Sequence, residues 1–223
     1  MLSFIAGLVD TAVFVGLFGL FTAHVTGNFV LIGWQLVHHT GDIWPKLLAF
    51  PAFVVAVAAT VKVVEARSRG GKPAPPLLLW IEAALLLCAF AAAAADPVVH
   101  ASDPAAIAAG MLAAAAMGVQ NAMMRLELAS LPSTTVMTIN VTQGVVDAVA
   151  LLSGGQAASR RDEARKRFAR TWPQIMAFAA GSAAGALGYA ATGFAVLVLP
   201  GVLCVALGVL WKKAQAGAPA AAT

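Results

Sequence analysis

Of 223 residues, 61% are hydrophobic and 11% charged, far below the roughly 25% charged residues of a soluble domain, which excludes a soluble globular protein. The net charge of +4 requires no nucleic-acid partner, because the basic residues gather in short stretches between apolar segments. Cys88 and Cys204 lie deep in apolar runs, where no disulfide framework is expected, and they read as small buried hydrophobes.

Eight apolar segments follow in chain order, at about 1–21, 28–37, 45–64, 76–95, 104–125, 140–152, 172–190 and 194–211. The first lacks the basic lead and small-residue cleavage site of a signal peptide, so it is expected to remain as a span. It carries Gly7, Asp10 and Ala12. The second is short, opens on Val25-Thr26-Gly27-Asn28 and holds Gln35; the third begins at Trp44-Pro45 and continues to Ala49-Phe50. The fourth holds Glu82, which is expected to snorkel or pair locally.

The same series then returns. Gly118, Asn121 and Ala122 sit in the fifth segment, Met137-Thr138-Ile139-Asn140 opens the sixth, which is again short, and Trp172-Pro173 with Ala177-Phe178 opens the seventh. The chain is therefore a duplicated unit within one membrane domain over 1–211, with repeats at 1–95 and 104–211. Six residues precede Gly7 and about fourteen precede Gly118 within their segments, the asymmetry expected of a start placed too far downstream. The basic stretch 156–170 is expected to form a separate amphipathic surface helix, and 212–223 a disordered tail.

Charge placement decides how many segments cross. The stretches 62–72 and 160–170 and the start of the tail hold most of the Lys and Arg, whereas 96–103 holds Asp96, His100 and Asp103 with neither. If the two short segments enter and leave on the same side, every basic stretch falls inside, as the positive-inside rule requires, and both termini are cytoplasmic. An extended chain from 22 to 28 covers roughly 20 Å and a helix over 28–37 returns about 14 Å, so half of a ~30 Å hydrocarbon core is reached and left again. The expected fold is all-α and polytopic, with six spanning helices and two re-entrant half-helices in two inverted repeats. Eight full transmembrane helices are the alternative.

The run Ala6-Gly7-Leu8-Val9-Asp10-Thr11-Ala12, with His24-Val25-Thr26-Gly27-Asn28, resembles the YoaK-like family of bacterial inner-membrane proteins, and Met117-Gly118-Val119-Gln120-Asn121-Ala122 with Thr135-Val136-Met137-Thr138 resembles that family's second half. The resemblance covers residues 1–211 and implies a multi-pass protein of the inner (plasma) membrane. It brings no activity with it. The chain departs from the family in carrying Thr138-Ile139-Asn140 where the second half resembles Thr-Gly.

Half-helices starting near Asn28 and Asn140 would point N–H groups and the positive end of the helix dipole into a shared mid-membrane cavity. Asn28 and Asn140, with Thr26 and Thr138, are of the type that caps such ends, and Gly27 permits a tight turn. Asp10 lies near the middle of the first segment and has neutral Asn121 as its repeat counterpart, and Asp147 lies two turns beyond Asn140. Because intramembrane ionisable residues usually face a cavity or a partner, both acids are candidates for a proton or cation relay. Secondary candidates are His24, Gln35, Arg125 and Gln143.

No His-Glu-x-x-His, Gly-x-Ser-x-Gly, Cys/His or Walker pattern is present, so no enzyme, resident cofactor or metal is expected. The function expected is a channel or secondary transporter for a small polar solute, with H+ as a candidate coupling ion and a site at the repeat interface. The alternative is a membrane scaffold or partner protein without transport activity. Gly181, Gly185 and Gly188 permit close helix approach and are candidates for a homodimer face.

Overall fold

The computed structural model describes residues 1–96, 98–153 and 158–216. Among them every regular element is helical: α1 (Leu2–Gly16), α2 (Gly27–His38), α3 (Trp44–Arg69), α4 (Pro75–Ala95), α5 (Pro104–Leu126), α6 (Met137–Leu152), α7 (Ala158–Thr192) and, after a 3-10 turn at Gly193–Leu197, α8 (Val198–Ala216). Prolines stand in the first turns of α3, α4 and α5, where a missing N–H costs nothing. Four helical runs are long and apolar enough to cross a membrane: Trp44–Arg69, Pro75–Ala95, Pro104–Leu126 and Ala158–Ala216. The last contains α7 and α8, separated at Gly193 with φ +59, and Leu2–Gly16 and Met137–Leu152 are shorter apolar helices. The protein is thus a polytopic membrane-type helical bundle.

Helix directions distinguish the two expected topologies. Leu17, the residue after α1, and Leu20, just past the reversal that follows it, lie against Gly110 near the start of α5, while the Gln120 amide near the end of α5 donates to the carbonyl of Leu2. The first helices of the two repeats therefore run antiparallel. The fourth helices do too, because Leu87 meets Gly201 and Trp80 meets Gly208. Eight full crossings would make each pair parallel, so the repeats are inverted and α2 and α6 belong to hairpins that return to the side they left.

Packing follows the same pseudo-twofold. α1 lies along α7, and its repeat counterpart α5 lies along α3. Both contacts are backbone-close at glycine: a Cβ on Gly7 would meet the Phe178 carbonyl, and one on Gly118 the Phe53 carbonyl. Gly181 and Gly185 sit on the backbone of Phe4 and Leu8, and Gly188 faces Val196. Gly181 and Gly185 are consequently buried, and Gly188 partly buried, in contacts within the chain.

Other expectations are corrected. The first helix stops at Gly16, short of the expected 21, because the chain reverses through Phe18 and Gly19 at φ 55 and 79. The basic stretch and the seventh segment form the single helix α7, so no separate surface helix exists over the described part of 156–170. α8 runs through Lys212 and Lys213 to Ala216, which makes the start of the expected tail helical; 217–223 lie outside the described residues. Cys88 is exposed and only Cys204 is buried. Glu82 neither snorkels nor pairs: it is fully buried.

Candidate functional site

The first hairpin is built on Asp10. After α1 the chain reverses at Phe18, whose carbonyl accepts from Lys46 Nζ at 2.9 Å, and returns until Thr22 and Ala23 lie beside Asp10, roughly two helical turns back. Asp10 Oδ1 accepts the backbone N–H groups of Thr22 and Ala23, each at 2.7 Å, and the Thr22 hydroxyl at 3.2 Å. Its Oδ2 meets Nδ1 of His24 at 2.7 Å. Asp10 is 4% exposed, so the carboxylate is enclosed by donors of its own chain. A solute or cation relay through Asp10 would have to displace them.

Asn28 acts on the same loop. Its Nδ2 donates to the Phe21 carbonyl at 2.8 Å and its Oδ1 accepts the Phe21 N–H at 2.9 Å. This two-way bond spans seven residues and is a latch across the bend, not the N-terminal cap expected of Asn28. The helix starts instead at Gly27, with Thr26 before it making no side-chain cap bond. The N–H groups of Gly27, Asn28 and Phe29 are taken by the carbonyls of His24, Val25 and Thr26, so the dipole end of α2 is closed. A Cβ on Gly27 would lie 3.0 Å from the Phe21 ring, which would have to give by a few tenths of an ångström. Gln35 lies away from this cluster, toward the C-terminal end of α2, beside Gly41.

The second hairpin repeats the plan with different chemistry. Asn140 Nδ2 donates to the Ser133 carbonyl at 2.7 Å, the counterpart of Asn28 and Phe21 seven residues apart. The expected cap role of Asn140 and Thr138 is likewise corrected: α6 starts at Met137 without a side-chain cap, and Thr138 is exposed. Asn121 takes the place of Asp10, with its Oδ1 accepting the Thr135 hydroxyl and its Nδ2 donating to the Met117 carbonyl at 2.8 Å. Next to it, the buried Gln120 amide donates to Thr134 Oγ1 at 2.9 Å.

The two hairpins touch at His24. Its ring packs edge-on against Phe178 of α7, centroids 5.4 Å apart, and the backbone of Thr135 adjoins it from the opposite loop. Asp10 with His24 and Asn121 with Thr135 thus form two hydrogen-bonded pairs at the repeat-related positions, brought near each other where His24 adjoins the Thr135 backbone. His24 therefore has a more central place than its secondary rank among the candidates implied. Thr22, Gln120, Ser133 and Thr135 escaped sequence reading; Thr22 and Thr134, equally spaced from the two asparagine motifs, were the available signal.

The expected shared cavity is one-sided. A pocket of about 450 Å³ is lined by Asn121, Arg125, Ser133, Val136, Ile139 and Asn140, among others. It brings three sequence-predicted residues together at the first turn of α6. Arg125 is exposed there and makes no hydrogen bond or ion pair among the described residues. Asp147 lies elsewhere, fully buried at the α6–α7 contact, where its Oδ1 accepts Arg167 Nε at 3.1 Å, Arg167 Nη2 at 2.8 Å and Gln143 Nε2 at 3.0 Å. Arg167 neutralises it, so Asp147 and Gln143 belong to an interhelical clasp and not to the pocket.

The sequence model of the family described as Protein of unknown function (DUF1275) matches residues 1–210, and the chain belongs to that family. No curated protein and no solved structure matches it.

Proposed function

We propose that this DUF1275 member is a channel or secondary transporter that carries a small polar solute through the junction of its two inverted repeats. The observation that carries the reading is the pocket of about 450 Å³ at the broken segment of the second repeat, where Asn121, Asn140 and Arg125 converge. Two amide side chains and a guanidinium without a partner among the described residues suit a solute with acceptor oxygens, neutral or anionic. Inverted repeats support the reading because exchanging their two conformations opens a central site to one side and then the other. In the orientation set by the basic stretches, the pocket faces the cytoplasm and both termini lie inside a bacterial inner membrane, in keeping with the YoaK-like resemblance. The Asp10–His24 cluster is then the closed outer half of the path, with Asp10 a positioning residue. The reading involves no catalysis.

The test is light scattering from proteoliposomes given polyols, small amides and small carboxylates. At least one is expected to enter faster than in protein-free vesicles, and Ile139→Trp, which fills the pocket from its exposed wall, is expected to slow it without lowering the melting temperature. Entry of every solute at the protein-free rate would reject transport.

A further inference from the structure

Glu82 lies on α4 with no solvent exposure, and neither of its carboxyl oxygens has a hydrogen-bond partner among the described residues. Cys204 of α8 faces it, equally buried, but its thiol is a weak donor and does not reach hydrogen-bond geometry. α4 and α8 are the fourth helices of the two repeats, so the pair sits where one repeat meets the other. The contact is tight on both sides of the acid, with Leu87 on Gly201 and Trp80 on Gly208.

Among the described residues no countercharge is close. The titratable residues of α8 besides Cys204 are Lys212 and Lys213, about 12 Å further along the axis at 1.5 Å per residue, and Lys212 Nζ rests 4.1 Å over the Trp80 ring. The charge on α5 is Arg125, which lines the pocket near the far end of that helix. The acid of α1, which touches α8, is Asp10, enclosed by its loop. The 3-10 turn Gly193–Leu197 carries no titratable group. An ionised carboxylate without partner or water is not sustained in such surroundings, whereas the neutral acid is.

We propose that Glu82 is a proton-binding site at the repeat–repeat contact, occupied while α4 and α8 are packed and emptied only when that contact opens to water. An acid at a contact that must loosen for the repeats to exchange conformations ties proton release to the exchange itself. What the proton is coupled to rests on the transport reading; the site does not.

The probe is dicyclohexylcarbodiimide, a membrane-soluble reagent that adds to a protonated carboxyl and leaves an N-acylurea, read by mass spectrometry on the full chain in liposomes. An adduct on Glu82 at neutral pH, falling as pH rises and lost in Glu82→Gln, is expected. With Cys88 replaced by serine, N-ethylmaleimide should reach Cys204 as the adduct declines, while Glu82→Gln keeps Cys204 protected over the same range. No adduct at any pH, or a Cys204 profile unchanged by Glu82→Gln, overturns the proposal. An adduct in a protein that moves no solute would leave the site standing and reject transport alone.

Discussion

His24 holds its Nδ1 2.7 Å from Oδ2 of Asp10, fastening the first broken loop to the middle of α1 while the same ring rests on Phe178 of α7. The other oxygen of Asp10 takes two buried backbone N–H groups. Asp10→Ala would leave both without an acceptor, and an unsatisfied buried donor costs about 1–3 kcal/mol. Asp10→Asn keeps one carbonyl oxygen for them and loses only the charge opposite His24. Melting in detergent, followed by size-exclusion fluorescence, should show a large loss for alanine and a smaller one for asparagine. Equal losses, or none, would remove Asp10 from the brace.

The two asparagine latches differ in strength. Asn28 exchanges two bonds with Phe21, while Asn140 gives one to the Ser133 carbonyl and a long one, 3.7 Å, to the weak acceptor Met137 Sδ. Since a net intramolecular hydrogen bond contributes about 0.5–1.5 kcal/mol, Asn28→Ala should lower stability more than Asn140→Ala. The reverse order in the same melting assay would mean that the Phe21 bonds add nothing beyond what water supplies.

What was legible in the sequence was local or repeated. Gly7 and Gly118, and Asn28 and Asn140, recur at matched places, so the duplication, the short half-helices and their inversion could be read from motif spacing and Lys/Arg placement. The role of Asn28 could not, because a cap and a seven-residue latch use the same short amide side chain and differ only in where the backbone bends. Asp147 was legible as a buried acid, yet its partner Arg167 stands twenty residues away on another helix. The closed first hairpin and the open second differ at two matched positions: Asp10 against Asn121, and His24, which has Val136 as its counterpart by motif spacing. Motif equivalence implied two like sites where these two substitutions make them unlike.

Glycine positions separate packing from propensity. A Cβ on Gly185 would press on the backbone of Leu8, and backbone cannot give way as a flexible side chain can; overpacking of this kind costs about 1–3 kcal/mol. Gly33 on α2 has nothing within 4 Å of such a Cβ, and there Ala gains about 0.5–1 kcal/mol of helix preference. Gly185→Ala should therefore melt lower than the parent and Gly33→Ala no lower. If Gly185→Ala melts like the parent, the α1–α7 contact is looser than its glycines imply.

The antiparallel course of α1 and α5, set by Leu20 against Gly110 at one end and Leu2 bonded to Gln120 at the other, requires an odd number of crossings from one helix to the next. The ends of α2 and α6 must then lie on opposite faces of the membrane. Single cysteines at Thr40, just beyond α2, and at Ser159, in the first turn of α7, report those faces once Cys88 and Cys204 are replaced; both positions are exposed. In intact cells a membrane-impermeant maleimide should label position 40 and reach 159 only after permeabilisation, because the arginines around 159 draw that end inward. The opposite pattern would keep the inversion and reverse the orientation. Identical labelling at both would mean an even number of crossings, incompatible with the contacts of Gly110 and Gln120.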